Sequence, residues 1–144
     1  MGIIGKQPMT DLQDRRIFVV EDDVANMAVY ATLLKAAGAL VFQDPWNFNT
    51  LKMLLQFLPV DAILLDLMLR RGISGYEILD QIKSCPELVS IPVIAVSASD
   101  PSIEIPKTQE KGFAGFISKP IMLAQFPSQV ASCIEGRPVW DLGQ

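Results

Sequence analysis

A chain of 144 residues, half of them apolar and 19% charged, has the size and composition of one globular domain with a substantial buried core. Its net charge of −4 argues against a nucleic-acid-binding surface. No apolar stretch approaches a membrane span, and none follows a basic start as a signal peptide requires. Met1-Gly2 is followed by Lys6 where a myristoylation motif wants Ser or Thr, so the expected location is cytoplasmic, with no membrane partner. The chain holds no histidine. That removes His-based triads, histidine metal sites and any phosphohistidine carried by the chain itself.

Residues 1–14 lack periodicity and contain Gly2, Gly5 and Pro8, and are expected to be an N-terminal extension. Arg16-Ile17-Phe18-Val19-Val20 is a short run of strand formers that ends abruptly in Glu21-Asp22-Asp23. Over residues 24–37, Met27, Tyr30, Ala31, Leu34 and Ala37 recur at helical spacing, and Gly38 stops the helix. Ala39-Leu40-Val41-Phe42 predicts a strand, Asp44-Pro45 a turn, and residues 47–58 a helix ending before Pro59. Asp61-Ala62-Ile63-Leu64-Leu65 reads as a buried strand, with Gly72 and Gly75 in the loop beyond Asp66.

A helix over 76–85 and a strand over 91–96 follow. The next helix, 101–111, is weak: Pro101 suits a first turn, but Pro106 should shorten or kink it. Phe113 to Ser118 is the last strand, 121–135 the last helix, and 137–144 a short tail after a domain spanning 15–136. Five apolar strands alternating with five helices predict an α/β fold, a doubly wound (βα)5 parallel sheet covered on both faces. Cys85 and Cys133 lack metal-ligand spacing and are read as reduced and structural.

In such a sheet, ligands bind beyond the carboxyl ends of the strands, where the strand order reverses. The residues there are Glu21, Asp22 and Asp23 after the first strand, Asp66 after the third, Ser97 after the fourth and Lys119-Pro120 after the fifth. Gln43-Asp44, after the second, offers no evident partner. Each has an ordinary structural explanation: Asp22-Asp23 as a helix cap, Asp66 as a strand terminator, Ser97 as a turn hydroxyl, Lys119 as a solvated charge. Together they are harder to dismiss, because clustered carboxylates repel unless a cation or a proton relieves them. Oxygen ligands without histidine or nearby thiols favour Mg²⁺, and a carboxylate beside that ion can attack a phosphoryl group to form an acyl phosphate. The lysine would neutralise charge on the transferring group and the hydroxyl would bond one of its oxygens.

Four segments in order, spanning about Arg16 to Cys133, resemble the response-regulator receiver family of two-component signalling. They are Phe18-Val19-Val20-Glu21-Asp22-Asp23, Ile63-Leu64-Leu65-Asp66-Leu67-Met68-Leu69, Pro92-Val93-Ile94-Ala95-Val96-Ser97-Ala98 and Gly115-Phe116-Ile117-Ser118-Lys119-Pro120-Ile121. The resemblance implies a flavodoxin-like strand order 2-1-3-4-5, and Asp66 as the residue phosphorylated by a histidine kinase or histidine phosphotransfer protein. It implies Asp22, Asp66 and the backbone carbonyl of Met68 as Mg²⁺ ligands, with Glu21 acting through metal-bound water. Ser97 would turn toward the phosphoryl group, Lys119 would pair with Asp66 or the phosphate, and Phe116 would be the switch aromatic. It also implies a cis Lys119–Pro120 bond, no enzymatic turnover beyond the domain's own phosphorylation and dephosphorylation, and a downstream effector protein as the recipient of the signal.

Three departures from the family pattern stand out. The loop Arg70-Arg71-Gly72-Ile73-Ser74-Gly75 is one residue longer than usual and brings two cations near the acids. Met68 and Ser99 occupy positions that tune attack by water. Pro106 falls in a helix of the usual signalling face. Two competing readings remain at this level: a receiver-like scaffold that binds partners without phosphorylation, and a phosphohydrolase of the haloacid dehalogenase type. The latter wants a second Asp two residues after the nucleophile, where this chain has Met68. If the chain is a whole protein, a protein contact is the expected output; if it is a fragment, an effector domain carries the output.

Overall fold

A computed structural model describes residues 11–44 and 49–143. Five strands, β1 (Arg16–Val20), β2 (Leu40–Asp44), β3 (Ala62–Asp66), β4 (Val93–Ser97) and β5 (Gly115–Ser118), form one sheet in the order β2-β1-β3-β4-β5. All four pairings are parallel. Every residue of β3, β4 and β5 is buried, which explains why these strands are apolar throughout instead of alternating. Helices α1 (Val24–Ala36) and α5 (Phe126–Ile134) contribute to a core on one face, with Ile17, Val19, Leu64, Ile94 and Ile117 from the strands. Helices α2 (Thr50–Phe57), α3 (Gly75–Lys83) and α4 (Pro101–Lys111) contribute to the other, around Phe18, Ile63, Leu65, Ala95 and Phe116. The doubly wound fold and its strand order are those the sequence implied.

Several boundaries differ. The helix expected over 47–58 is observed as Thr50–Phe57, its first expected residues lying outside the described ones. The last helix starts at Phe126 and not at 121, because Pro127 lacks an N–H and fits only the first turn. Pro106, expected to shorten or kink α4, is accommodated within a continuous eleven-residue helix. The carbonyl it leaves without an intrahelical donor belongs to Ser102, which is exposed and open to water. Asp100 caps the start of α4 by accepting from the Ser102 N–H, and Gly112 ends the helix with a left-handed φ of 90°.

Two segments outside the sheet's own elements are packed onto it. Leu12, in the region read as an N-terminal extension, is fully buried, and its N–H donates to Ala37 O at 3.1 Å. In the region read as a tail, the chain returns alongside β5. Phe116 N–H donates to Val139 O at 2.7 Å and Asp141 N–H donates to Phe116 O at 3.0 Å, a parallel bridge centred on Trp140.

Candidate functional site

The sheet is wound in opposite directions from β1, toward β2 on one side and β3 on the other, and the switch point lies between β1 and β3. Chain geometry therefore places Glu21 and Asp22, just past β1, next to Asp66 at the end of β3. One carboxylate oxygen from each of these three residues lies within 4.8 Å of the others. Lys119, just past β5, reaches across β4's end to both Glu21 Oε1 at 3.0 Å and Asp66 Oδ2 at 3.1 Å. Lys119 N–H donates to Ser97 O at 2.8 Å, and the Lys119–Pro120 bond is cis.

The remaining oxygens of the cluster are tethered too. Asp66 Oδ1 accepts from Met68 N–H at 3.1 Å, and Glu21 Oε2 accepts from Asp23 N–H at 3.1 Å. The two readings of Asp22-Asp23 divide between the residues. Asp23 is the cap, its Oδ1 accepting from Asn26 N–H at 2.8 Å, whereas Asp22 belongs to the acid cluster. The β3–α3 loop closes over the site because Gly75 has no side chain. A Cβ there would lie 2.4 Å from the Asp66 carbonyl oxygen and 2.8 Å from Leu67 Cα.

Electrostatics follow from burial. Glu21 is 2% exposed, and desolvation holds its carboxyl above the usual carboxylate range. Burial alone would lower the Lys119 ammonium, but the charges of Asp66 and Glu21 outweigh it and raise its pKa above the ordinary lysine value. The half-buried Lys119 pairs with two of the three carboxylates, and the third, Asp22, has the exposed Arg70 Nε at 4.0 Å, so three negative charges face two positive ones. Hard oxygen donors at this spacing, with no imidazole or thiol among them, suit Mg²⁺.

The other residues singled out in the sequence lie around this cluster. Ser97 is buried, and its Oγ accepts from Ser99 N–H at 3.1 Å, while Ser99 Oγ donates to Met68 Sδ at 3.3 Å. Met68 is largely exposed (71%), and its thioether brings no acid or base to the site. Phe116 is fully buried beside Ala95 in the sheet. Arg70 meets the cluster through its backbone: its N–H donates to Asp22 Oδ2 at 2.6 Å, and its Nε lies 4.0 Å from Asp22 Oδ1. Arg71 takes a left-handed φ of 64° in the short 3-10 turn Arg70–Gly72. Asp44, for which no partner was foreseen, is buried and accepts from Thr50 Oγ1 at 2.6 Å, tying the end of β2 to the start of α2.

Tyr30 was missed. It shares α1's apolar stripe with Met27 and Leu34, so its spacing marks it as core. Its ring packs on Phe126 at 5.4 Å, but its hydroxyl end faces the acid cluster, and its pKa is raised by burial and by the nearby Glu21 and Asp66 charges. The available signal was the hydroxyl itself, on a stripe that begins at the acid cluster.

Comparison with known proteins adds an independent line. The family model of the response regulator receiver domain matches residues 17–131. The polar-differentiation response regulator DivK of Brucella ovis is 30% identical over 118 residues, covering 82% of this chain and 94% of that protein. The solved phosphorylated cyanobacterial phytochrome response regulator RcpA aligns with a TM-score of 0.67 at 29% identity, over 85% of this chain and 91% of that one. The receiver domain of sensor histidine kinase PA1611 from Pseudomonas aeruginosa PAO1 was solved with a magnesium ion coordinated in its active-site cleft. It shares the fold at a TM-score of 0.72 and 22% identity, over 85% of this chain and 98% of that one.

Proposed function

Since the chain belongs to the response regulator receiver domain family, we propose that it accepts a phosphoryl group on Asp66 from a phosphohistidine of a sensor histidine kinase or histidine phosphotransfer protein. The observation that carries this reading is the environment of Asp66. Its carboxylate ends a fully buried strand, is oriented by Met68 N–H on one oxygen and Lys119 on the other, and stands within 4.8 Å of the Glu21 and Asp22 carboxylates.

In the proposed step an Asp66 carboxylate oxygen attacks phosphorus, the P–N bond to the donor imidazole breaks with its electron pair going to nitrogen, and the ring leaves neutral, its one proton already on the other nitrogen or taken from water. The donor lies outside this chain, which has no histidine. Asp22, Asp66 and the Met68 carbonyl would hold Mg²⁺, with Glu21 acting through bound water. When bound, the ion would offset charge on the transferring oxygens. Lys119 neutralises the acceptor carboxylate and then a phosphoryl oxygen, so no further side-chain cation has to arrive during transfer. Ser97, whose hydroxyl now accepts from Ser99 N–H, turns to donate to a second phosphoryl oxygen. That movement alters packing at Phe116, and the resulting population shift changes which effector protein binds.

Met68 argues against a hydrolase that needs an acid two residues after its nucleophile. Among the described residues no helix is long and apolar enough to cross a membrane, which fits action in the cytoplasm. The test is incubation with acetyl phosphate and Mg²⁺ followed by intact mass measurement. One acid-labile phosphoryl adduct is expected, absent in Asp66→Ala. No adduct at saturating donor would favour the phosphorylation-independent scaffold, and multiple turnover of unrelated phosphate esters would favour the hydrolase.

A further inference from the structure

The last strand of an open sheet presents unpaired N–H and C=O groups, and such an edge pairs readily with any extended segment that reaches it. β5 is that edge, opposite β2 in the strand order. In this molecule the edge is covered by residues 139–141 of the same chain. They pair through the two backbone hydrogen bonds at Phe116 and through Asp141, whose carboxylate accepts from Ser118 N–H at 3.1 Å and from Gly143 N–H at 2.8 Å. Side chains alternate as they do in a strand: Val139 packs on the core shared by α1 and α5, and Trp140 on the core shared with α4. Gly115 makes room for this approach. A Cβ there would lie 3.0 Å from Val139 O, as well as 2.6 Å from Cys133 Sγ. Trp140, Val139 and Asp141 nonetheless remain only half-buried, and Leu142 and Gly143 are exposed.

We propose that the β5 edge between α4 and α5 is a strand-docking surface, that Val139–Asp141 occupies it in cis, and that a partner using this face displaces the segment. The chemistry of the occupant defines the partner. It is an extended strand parallel to β5, with an aromatic residue facing α4 followed by a carboxylate that caps Ser118 N–H. Main-chain pairing supplies register, and the aromatic and acidic side chains supply selectivity. A segment held by two backbone bonds, one carboxylate bond to Ser118 N–H and side chains that pack only on the rim of each core can open without unfolding the sheet. The inference requires no phosphorylation, so it stands or falls separately from the role of Asp66.

The test uses the full chain and two variants, Trp140→Ala and Asp141→Ala. A labelled peptide with the sequence of residues 137–143 is titrated into each, and amide exchange is followed residue by residue. Both variants should bind the peptide at least tenfold more tightly than the unmodified chain. Their Phe116 and Ser118 amides should exchange at least tenfold faster, while the amides of β1 and β3 stay protected. A peptide lacking the tryptophan and the aspartate should not bind. Equal peptide binding by all three proteins would overturn the proposal, as would unchanged Phe116 protection. An unmodified chain that elutes as a strand-exchanged dimer would overturn occupancy in cis.

Discussion

At the end of the sheet where the strands begin, Arg16 sits over the Phe42 ring at 4.5 Å and donates to the carbonyl oxygens of Pro59 at 2.6 Å and Phe57 at 2.8 Å. Asp61 beside it accepts from Arg16 N–H at 2.8 Å. At the end where the strands finish, three carboxylates cluster and two of them share one lysine. The first arrangement gives each charge partners of opposite polarity and stitches β1 to the segment between α2 and β3. The second sets like charges against each other in a place where desolvation makes their repulsion worse. Charges at the first end serve the fold; those at the second are tolerated by it, and that tolerance marks the site.

The contrast can be tested by removing one cation from each end. Lys119→Ala leaves Glu21 and Asp66 facing each other without compensation. Loss of one partner of a fully buried pair costs about 3–5 kcal/mol, and this part-buried lysine should fall at or below the lower end of that range, in chemical denaturation without divalent ions. Millimolar Mg²⁺ should restore part of that loss. Arg16→Ala removes two charge-assisted hydrogen bonds and a cation–π contact, for about 1–3 kcal/mol, and Mg²⁺ should restore none of it. If Mg²⁺ rescued both variants or neither, the two ends would not differ in the way described.

A smaller effect concerns pH. Both tyrosines, Tyr30 and Tyr76, have pKa values raised above the ordinary 10.0, chiefly by burial, and Lys119 lies above its ordinary 10.5. A raised folded-state value means that these groups add stability below the unfolded pKa and lose it as pH climbs toward the folded one. Stability should therefore decline above about pH 10, and tyrosinate absorbance should appear only as the chain unfolds. Glu21→Gln, which removes one negative charge from beside Tyr30, should bring the ionisation of that tyrosine modestly earlier. Tyrosinate absorbance that precedes unfolding in the unmodified chain would contradict the burial assigned to these hydroxyls.

Much of this architecture was readable from the residues. Ala62–Asp66 and Val93–Ser97 are buried at every position, so their composition carries the fold directly. The polar residues at the strand ends converge because parallel topology sends every carboxyl end to the same edge. What stayed hidden depended on tertiary contacts that leave no local period. Leu12 is a single apolar anchor in a segment that otherwise looks like a tail. Val139–Asp141 is too short for alternation to register, and Tyr30 combines a core position with a polar tip. Pro106 misled because propensity says that proline breaks helices, whereas the carbonyl it orphans here is exposed.

The central claim is that Asp66 becomes the acyl phosphate. Borohydride reduction converts an aspartyl phosphate into homoserine, which peptide mass mapping locates to the residue. After treatment with acetyl phosphate and Mg²⁺, homoserine is expected at position 66 and nowhere else, with Lys119→Ala sharply reducing its yield. Homoserine at another acid, or none from a chain held at saturating donor, would contradict the account.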